Sequence, residues 1–462
     1  MLIRNAEIYQ AGLNDLRIER GIISDIGRFS CRPGETVVEA FGGALLPGLN
    51  DHHIHFLSFA ASLASVDCSP AAVSNSEGLA TLLRQQPPSD AWLRGFGYHE
   101  SVAGDIDCHW LDCHCPNRPA RIQHRSGRLW IFNSAGLSIL QDALQLQKTP
   151  SLLPAENFKS GRFYDNDQTL AALLGRHLPP VKPASEKLAS CGITGFSDMT
   201  PSNDQNTFAL FQRLKLENSI LQNIQLARNS TFTSEEAATT ISSGPVKIHL
   251  HENRLPALQE LVERIHASHA AGVAIAIHCV TEIELLFSLA ALEEAGTIAG
   301  DRIEHAAVTP EHALDRMQAL GVTVVTQPHF VLEKGDSYLR DVEPGDHESL
   351  YRCRTFLNWN IPLAGSSDAP FGSADPWTAM RAAVSRRTAS GTLLGHNEAL
   401  NPEQALALFL GSLETPGQIR KIQPGMAADL CLLKHPWAVA RNRLTSDDVQ
   451  FVMSKGQSIY KK

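Results

Sequence analysis

The sequence predicts an α/β fold, a (β/α)8 TIM-type barrel with a small β-sandwich domain formed from both chain ends. Three observations carry this prediction. Eight short apolar runs of strand length recur along the chain. The connections after the second run are helix-sized and amphipathic, as in Leu255–Ala271 and Glu282–Ala295. Both chain ends carry shorter runs, broken by turns, that could not bury a core alone. Repeated strand–helix units imply a parallel sheet, and eight of them allow closure.

Taken in order, residues 1–46 alternate in period two over Leu2–Ile8, Asp15–Glu19, Ile22–Ile26 and Thr36–Glu39, with breaks at Gly21 and Pro33-Gly34. The barrel strands follow as Leu49–Phe56, Ile193–Asp198, Leu221–Leu226, Val246–His251, Val273–His278, Arg302–His305, Val322–Thr326 and Pro362–Ser366. The gap at about 57–192 is too long for one helix and reads as an insertion near the barrel mouth, with strands around Trp92–Phe96 and Ala120–His124. Near the C-terminus, Asp429–Leu433 and Val449–Met453 are again short runs, punctuated by Gly425 and Gly456. The expected domains are 47–407 for the barrel and 1–46 plus 408–462 for the composite sandwich.

Composition narrows the function. Of 462 residues, 43% are hydrophobic and 19% charged, the balance of a globular protein. With 40 basic and 49 acidic residues the net charge is −9, which gives no electrostatic reason to bind nucleic acid. No signal peptide and no membrane-length apolar stretch is visible, so the expectation is a cytoplasmic protein with no membrane partner. The nine cysteines are odd in number and irregularly spaced, which fits free thiols. Cys108-His109 and Cys113-His114-Cys115 offer zinc-ligand types, but adjacent ligands do not easily converge on one ion. A helix-to-loop segment with free thiols is the better reading.

The chemistry-bearing residues recur at strand ends. On the first strand Asp51, His53 and His55 share one face and His52 takes the other. His278 ends the apolar run Val273–Ile277, His305 ends Arg302-Ile303-Glu304 and Asp368 follows Leu363–Ser367, each at the C-terminal lip where barrel enzymes place their active sites. A single such histidine reads equally well as a core residue; four placements on one rim read as a metal site. The fourth strand puts Lys247, His249 and His251 on one face. An inward lysine is costly if charged. Two readings stay open: carbamylation by carbon dioxide, giving a carboxylate that can bridge two metals, or pairing with an acid such as Glu252 or Asp198.

These residues resemble the amidohydrolase superfamily, in the branch of N-substituted formamide deformylase-like metal-dependent hydrolases. The matching stretches are Pro47-Gly48, Asp51-His52-His53-Ile54-His55, Gly192-Ile193-Thr194, Val246-Lys247 and Ile277-His278-Cys279. They continue with Asp301–Ala306, Gln327-Pro328, Gly365–Pro370 and Gly425–Leu430. The resemblance implies that His53 and His55 bind the more buried metal and His278 and His305 the second. It implies that a carbamylated Lys247 bridges them, and that Asp368 ligates the first metal and acts as general base. The implied reaction is hydrolysis of a C–N bond, in an amide or cyclic amide, by metal-activated hydroxide. The implied cofactor is a divalent metal, one or two per chain: zinc first, then iron, manganese or nickel.

Departures from the family pattern leave the substrate open. Ser126-Gly127-Arg128 stands where relatives often carry Asp-Gly-His, and His251-Glu252 where they often carry Asp-Gly. Arg128 could read an acidic substrate group, or it could be a surface arginine. Tyr98, His99 and Glu100, with His251 and His329, complete the candidate substrate contacts. One rival is a deaminase of the same superfamily with a single metal, but such enzymes carry a glutamate where Thr281 stands. A second is a non-catalytic barrel scaffold, which would have lost ligands that are all present here. The expected partner is a small molecule, and a homo-oligomer is compatible with the chain.

Overall fold

The structure, a computed structural model, describes residues 1–70, 72–87, 92–115, 118–146, 153–175, 178–229 and 241–462. The chain divides into two compact units: Met1–Phe56 with Ala184–Lys462, and the insertion Leu57–Pro183.

The first unit contains eight strands in one all-parallel sheet, in chain order: β1 Leu49–Ile54, β2 Ile193–Asp198, β3 Asn223–Arg228, β4 Ile241–Ile248, β5 Ile275–Cys279, β6 Arg302–His305, β7 Thr323–Thr326 and β8 Leu363–Gly365. Every expected barrel strand is present. Helices cover the sheet by burying one stripe each, as Leu261, Val262 and Ile265 do in Leu258–Ala270. The helix Glu282–Ala295 starts with a capping box between Thr281 and Glu284. Gly48 is required at the entry to β1, because a Cβ there would meet the Thr194 side chain at 2.2 Å.

The seam between β8 and β1 is closed partly by another segment. Gly365 N–H donates to the Leu408 carbonyl (2.8 Å) and Asn50 N–H to the Phe409 carbonyl (2.9 Å). Above them, Asp368 N–H donates to the His53 carbonyl (2.8 Å) and His55 N–H to the Ala369 carbonyl (2.9 Å). Residues 408–411 therefore serve the barrel, not the terminal sheet to which the sequence assigned them.

The expected small sandwich takes a different form. Strands from both chain ends hydrogen-bond into one sheet. Its order is Gln457–Lys461, Val449–Ser454, Leu430–Leu433, Ala44–Pro47, Leu2–Ile8, Gly12–Glu19 and Ile22–Gly27, with Val37–Glu39 beside Leu2–Ile8. The link between the two ends is Ala44–Pro47 paired antiparallel with Leu430–Leu433. Ile3, Ile8, Leu16, Leu45, Leu430 and Phe451 share its apolar core.

The insertion has its own five-stranded sheet, in the order Arg162–Tyr164, Leu129–Phe132, Ala120–His124, Leu93–Tyr98 and Val66–Asp67. One apolar cluster contains Leu79, Leu93, Ile122 and Ile131; a second contains Trp130, Phe132, Leu140 and Phe163. The unit ends at Pro183, short of the expected 192, because the helix Val181–Ser190 leads into β2. All nine cysteines are free. Cys108–His114 is helical, and its Asp112 carboxylate is taken by Ser134. Among the described residues no helix is long and apolar enough to cross a membrane.

Candidate metal centre

The C-terminal ends of the barrel strands bring the expected ligands together. His53 Nε2 and His55 Nε2 lie 3.5 and 3.4 Å from one oxygen, Asp368 Oδ1. The His305 ring is 4.9 Å from that of His53 and 4.5 Å from that of His278, centre to centre. His249, which shares a strand face with Lys247 in the sequence reading, sits 4.2 Å from His278.

Alternation along the strand does not explain every placement. Glu304 points inward with Arg302, so His305 would follow Ile303 outward. The chain instead turns left-handed at His305 (φ 71°) and Ala306 (φ 46°), and the imidazole joins the cluster. Asp368 is likewise left-handed (φ 51°), on the loop strapped to β1. Such backbone is sparsely populated for non-glycine residues and concentrates at functional sites.

Three of the histidines are held from behind. His53 Nδ1 lies 2.5 Å from Glu304 Oε2, His55 Nδ1 3.0 Å from Thr200 Oγ1, and His305 Nδ1 2.8 Å from Gln327 Oε1. A carboxylate and an amide oxygen can only accept, so Nδ1–H of His53 and His305 donates outward and Nε2 keeps its lone pair for a cation. The Thr200 hydroxyl can accept from His55 in the same way. Glu304 is buried, but Arg302 and His53 hold its carboxyl well below the usual range. Gln327 is fixed in turn, its amide donating to Ser366 Oγ at 2.9 Å. Glu304, Thr200 and Gln327 escaped sequence reading as supports. Glu304 and Gln327 stood in recognisable stretches, yet nothing local says which ring each one meets.

Two buried atoms are left over. Asp368 Oδ1 and Lys247 Nζ have no hydrogen-bond partner among the described residues. Burial alone would raise the Asp368 carboxyl, but the imidazoles of His55, His53 and His305 around it hold it well below its ordinary value. Burial pulls the Lys247 ammonium down to about 8, and burial with Lys247 nearby pulls His53 down to about 3. Neither acid suggested for Lys247 pairs with it. The Asp198 carboxylate accepts from Phe56 N–H, Thr200 N–H and the Asn203 amide, and Glu252 is exposed.

Unspent imidazole nitrogens, an ionised carboxylate and an unpartnered amine in one dry site suit a divalent cation. His53, His55 and Asp368 have ligand atoms within 4.8 Å of one another. Asp51, on the same strand face, is not among them: Ser367 N–H and Oγ, at 3.0 and 2.5 Å, and His53 N–H hold its carboxylate.

The substrate-contact candidates fare differently. Tyr98 is buried in the insertion core and its hydroxyl donates to the Gly104 carbonyl, so it has nothing to offer a ligand. Arg128 forms a two-pronged pair with Asp165 at 2.7 and 2.6 Å on the surface, which spends the fork an acidic substrate would need. His329 is wholly buried, 3.0 Å from the Ser367 carbonyl, and supports the loop that carries Asp368. His251 is exposed and stacks on His249 at 4.4 Å. His99 joins Glu100 and His124 in a cluster inside the insertion: the two Nε2 atoms lie 3.6 and 3.1 Å from Glu100 Oε2. Phe371, not anticipated, is exposed with its ring edge-on to His55 at 5.6 Å.

The position where a deaminase would carry its glutamate is the N-cap Thr281. The nearby Glu284 carboxylate is occupied by backbone N–H groups of Glu252, Val280 and Thr281.

Comparison with known proteins agrees with this geometry. The model of the Amidohydrolase family matches residues 36–157 and 167–460. The YtcJ protein of Bacillus subtilis is 23% identical, over 96% of this chain and 95% of its own. The N-substituted formamide deformylase of Arthrobacter pascens is 22% identical, over 83% of this chain and 81% of its own. The crystal structure of an uncharacterised metal-dependent hydrolase from Pyrococcus horikoshii OT3 superimposes with a TM-score of 0.77 at 20% identity, covering 96% of this chain and 99% of that one. At that identity the last likeness speaks for the fold. The family match spans nearly the whole chain and includes every rim residue described above, so the protein belongs to the Amidohydrolase family.

Proposed function

We propose that the chain hydrolyses a C–N bond in an amide or cyclic amide at a divalent metal centre held by His53, His55, His278, His305 and Asp368, with Lys247 as a carbamylated bridge. One observation carries the reading: the convergence of two imidazole Nε2 atoms on an otherwise unpartnered Asp368 Oδ1, 3.4–3.5 Å away. When bound, a divalent ion would supply Lewis-acid polarisation and lower the pKa of water towards neutrality.

The residues around it have separable tasks. Asp368 stays ionised at working pH, so it can accept a proton from the attacking water and pass it to the departing nitrogen. Glu304 and Gln327, whose oxygens can only accept, fix the tautomers of His53 and His305, and Thr200 holds the ring of His55. Lys247, with its ammonium drawn down to about 8, has an accessible neutral amine for addition to carbon dioxide. Zinc is the first choice for this donor set, with two ions per chain where Lys247 bridges and one where it does not.

The test is elemental analysis of the purified protein, then a screen of N-formyl amines, N-acyl amines, N-acyl amino acids and cyclic amides. N-formyl amines come first because a relative over most of the chain is named as an N-substituted formamide deformylase. The proposal expects metal in the purified protein and turnover of at least one such class. Carbon-13 from labelled bicarbonate should appear as a carbamate that Lys247→Ala lacks. One ion per chain, with ammonia released from an aminated heterocycle and no amide turned over, would replace it with the deaminase reading. A metal-loaded protein inert on every class would overturn it.

A further inference from the structure

The insertion sheet holds a charged group that the barrel chemistry does not use. Arg94 and Arg121 are registered partners on neighbouring parallel strands, so their side chains leave one face about 4.8 Å apart. Both guanidinium groups lie against indoles. Arg94 Cζ is 5.5 Å from the Trp130 ring centre, and Arg121 Cζ is 5.0 Å from the same ring and 5.4 Å from that of Trp92. For these cations, a contact over the ring face is electrostatic and takes up no N–H donor.

It leaves their edges unused. Among the described residues, Arg94 Nε and Arg121 Nε are both buried with no hydrogen-bond partner. Burial lowers both groups, Arg121 to about 10 with Arg94 adding to the effect, and no carboxylate of the described residues offsets it. Other buried arginines of the chain are provided for: Arg17 by Glu35, Arg302 by Glu304, and Arg386 by the carbonyls of Tyr351, Leu350 and Leu394. Two adjacent like charges half-withdrawn from water, with no counter-charge among the described residues, are an unfavourable arrangement unless an anion completes it.

We propose that Arg94 and Arg121 form a binding site for a small oxyanion, a carboxylate or phosphoryl group. Its oxygens would accept from the guanidinium edges while the indoles hold the two cation planes. Arginine forks match such oxygens in geometry and in charge. The site lies wholly within the insertion and stands independently of the metal chemistry.

The experiment uses the full-length, metal-loaded protein, titrated with inorganic phosphate or acetate against sodium chloride at equal ionic strength. Indole emission and thermal denaturation are read together, in the wild type and in Arg121→Met. The expected result is a saturable emission change and a concentration-dependent rise in Tm with phosphate, acetate or both, and neither with chloride. Phosphate alone assigns a phosphoryl ligand and acetate alone a carboxylate. Arg121→Met should weaken binding about tenfold or more, the loss of a charge-assisted contact. Arg94→Lys, which keeps the charge but loses the fork, should also weaken it and serves if the first variant folds poorly. Anion held at the metal centre would shift wild type and variants equally, so the difference between them is the readout. Phosphate and acetate acting no differently from chloride on the wild type, or variants that keep the full response, would overturn the proposal.

Discussion

Parallel strands end in histidines in both units of this protein, and in both an imidazole pair meets a carboxylate with ligand atoms within 4.8 Å of one another, but the two clusters differ in what surrounds them. In the insertion, His99 and His124 follow neighbouring strands registered at Tyr98 and His124. Each accepts a backbone N–H two residues on through Nδ1, at 3.2 and 3.1 Å, and each turns Nε2 to Glu100. In the barrel, His53, His55 and His305 are also anchored at Nδ1, and two of them turn Nε2 to Asp368. The wiring uses the same nitrogen in opposite senses. An Nδ1 that accepts leaves Nε2–H to donate to Glu100, whereas an Nδ1–H given to Glu304 or Gln327 leaves the Nε2 lone pair for a cation. The surroundings differ as well. Glu100 is 41% exposed and hydrogen-bonded to His124, whereas Asp368 Oδ1 and Lys247 Nζ are buried and unspent. A cluster of ligand types becomes a candidate for catalysis where the surrounding protein dries it and leaves donor atoms without partners.

The largest effect should come from the unspent carboxylate. Asp368→Asn keeps the shape and removes the proton acceptor, and kcat on the best substrate should fall about 10²–10⁴-fold. A variant within a few-fold of wild type, with its metal content intact, would break the contrast at its strongest point. The support behind His53 comes next. Glu304→Gln should weaken metal binding about 10–100-fold, measured by competition with a chelator. The same competition run on His124→Ala should show no change at the barrel. A loss of the tightest-bound metal in His124→Ala would mean that the insertion cluster holds it, and the two clusters would exchange roles.

The barrel was legible because its signal is local. Most of the eight strands are apolar runs, LNDHHI in the first and RIEH in the sixth being exceptions, and His53, His55, His278 and Asp368 sit at or just beyond strand ends. Lys247 was legible as an inward charge, though not its lack of an acid partner, since the fate of Asp198 depends on Phe56, Thr200 and Asn203 around it. What stayed hidden is non-local. Residues 408–411 close the seam through main-chain bonds that no side-chain pattern encodes. Arg128 finds Asp165 across 37 positions of chain, and the terminal strands join one sheet through a pairing of Leu430–Leu433 with Ala44–Pro47. Period two says that a segment is a strand and which face is buried, but does not name its neighbour. His305 shows the same limit on a smaller scale, because alternation aims it outward and two left-handed residues bring it back.

The smallest effect concerns the surface cluster itself. Glu100 is held below its ordinary value: burial works against the shift, but its hydrogen bonds and the two histidines outweigh it. A carboxylate with a depressed folded pKa contributes stability above the unfolded value, about 4.3, and loses it as pH falls further. Burial lowers His99 as well, which acts in the same direction as the pH drops below about 6.5. Glu100→Gln should therefore lower stability near neutral pH by about 0.2–1 kcal/mol, the range of exposed ion pairs. The gap from wild type should close in acid, where Glu100 is protonated in both states. Denaturant melts of the two proteins at neutral and acid pH measure that gap. A gap that stays constant across pH would show that Glu100 acts by packing rather than charge, and the contrast between a solvated cluster and a dry one would then rest on the barrel residues alone.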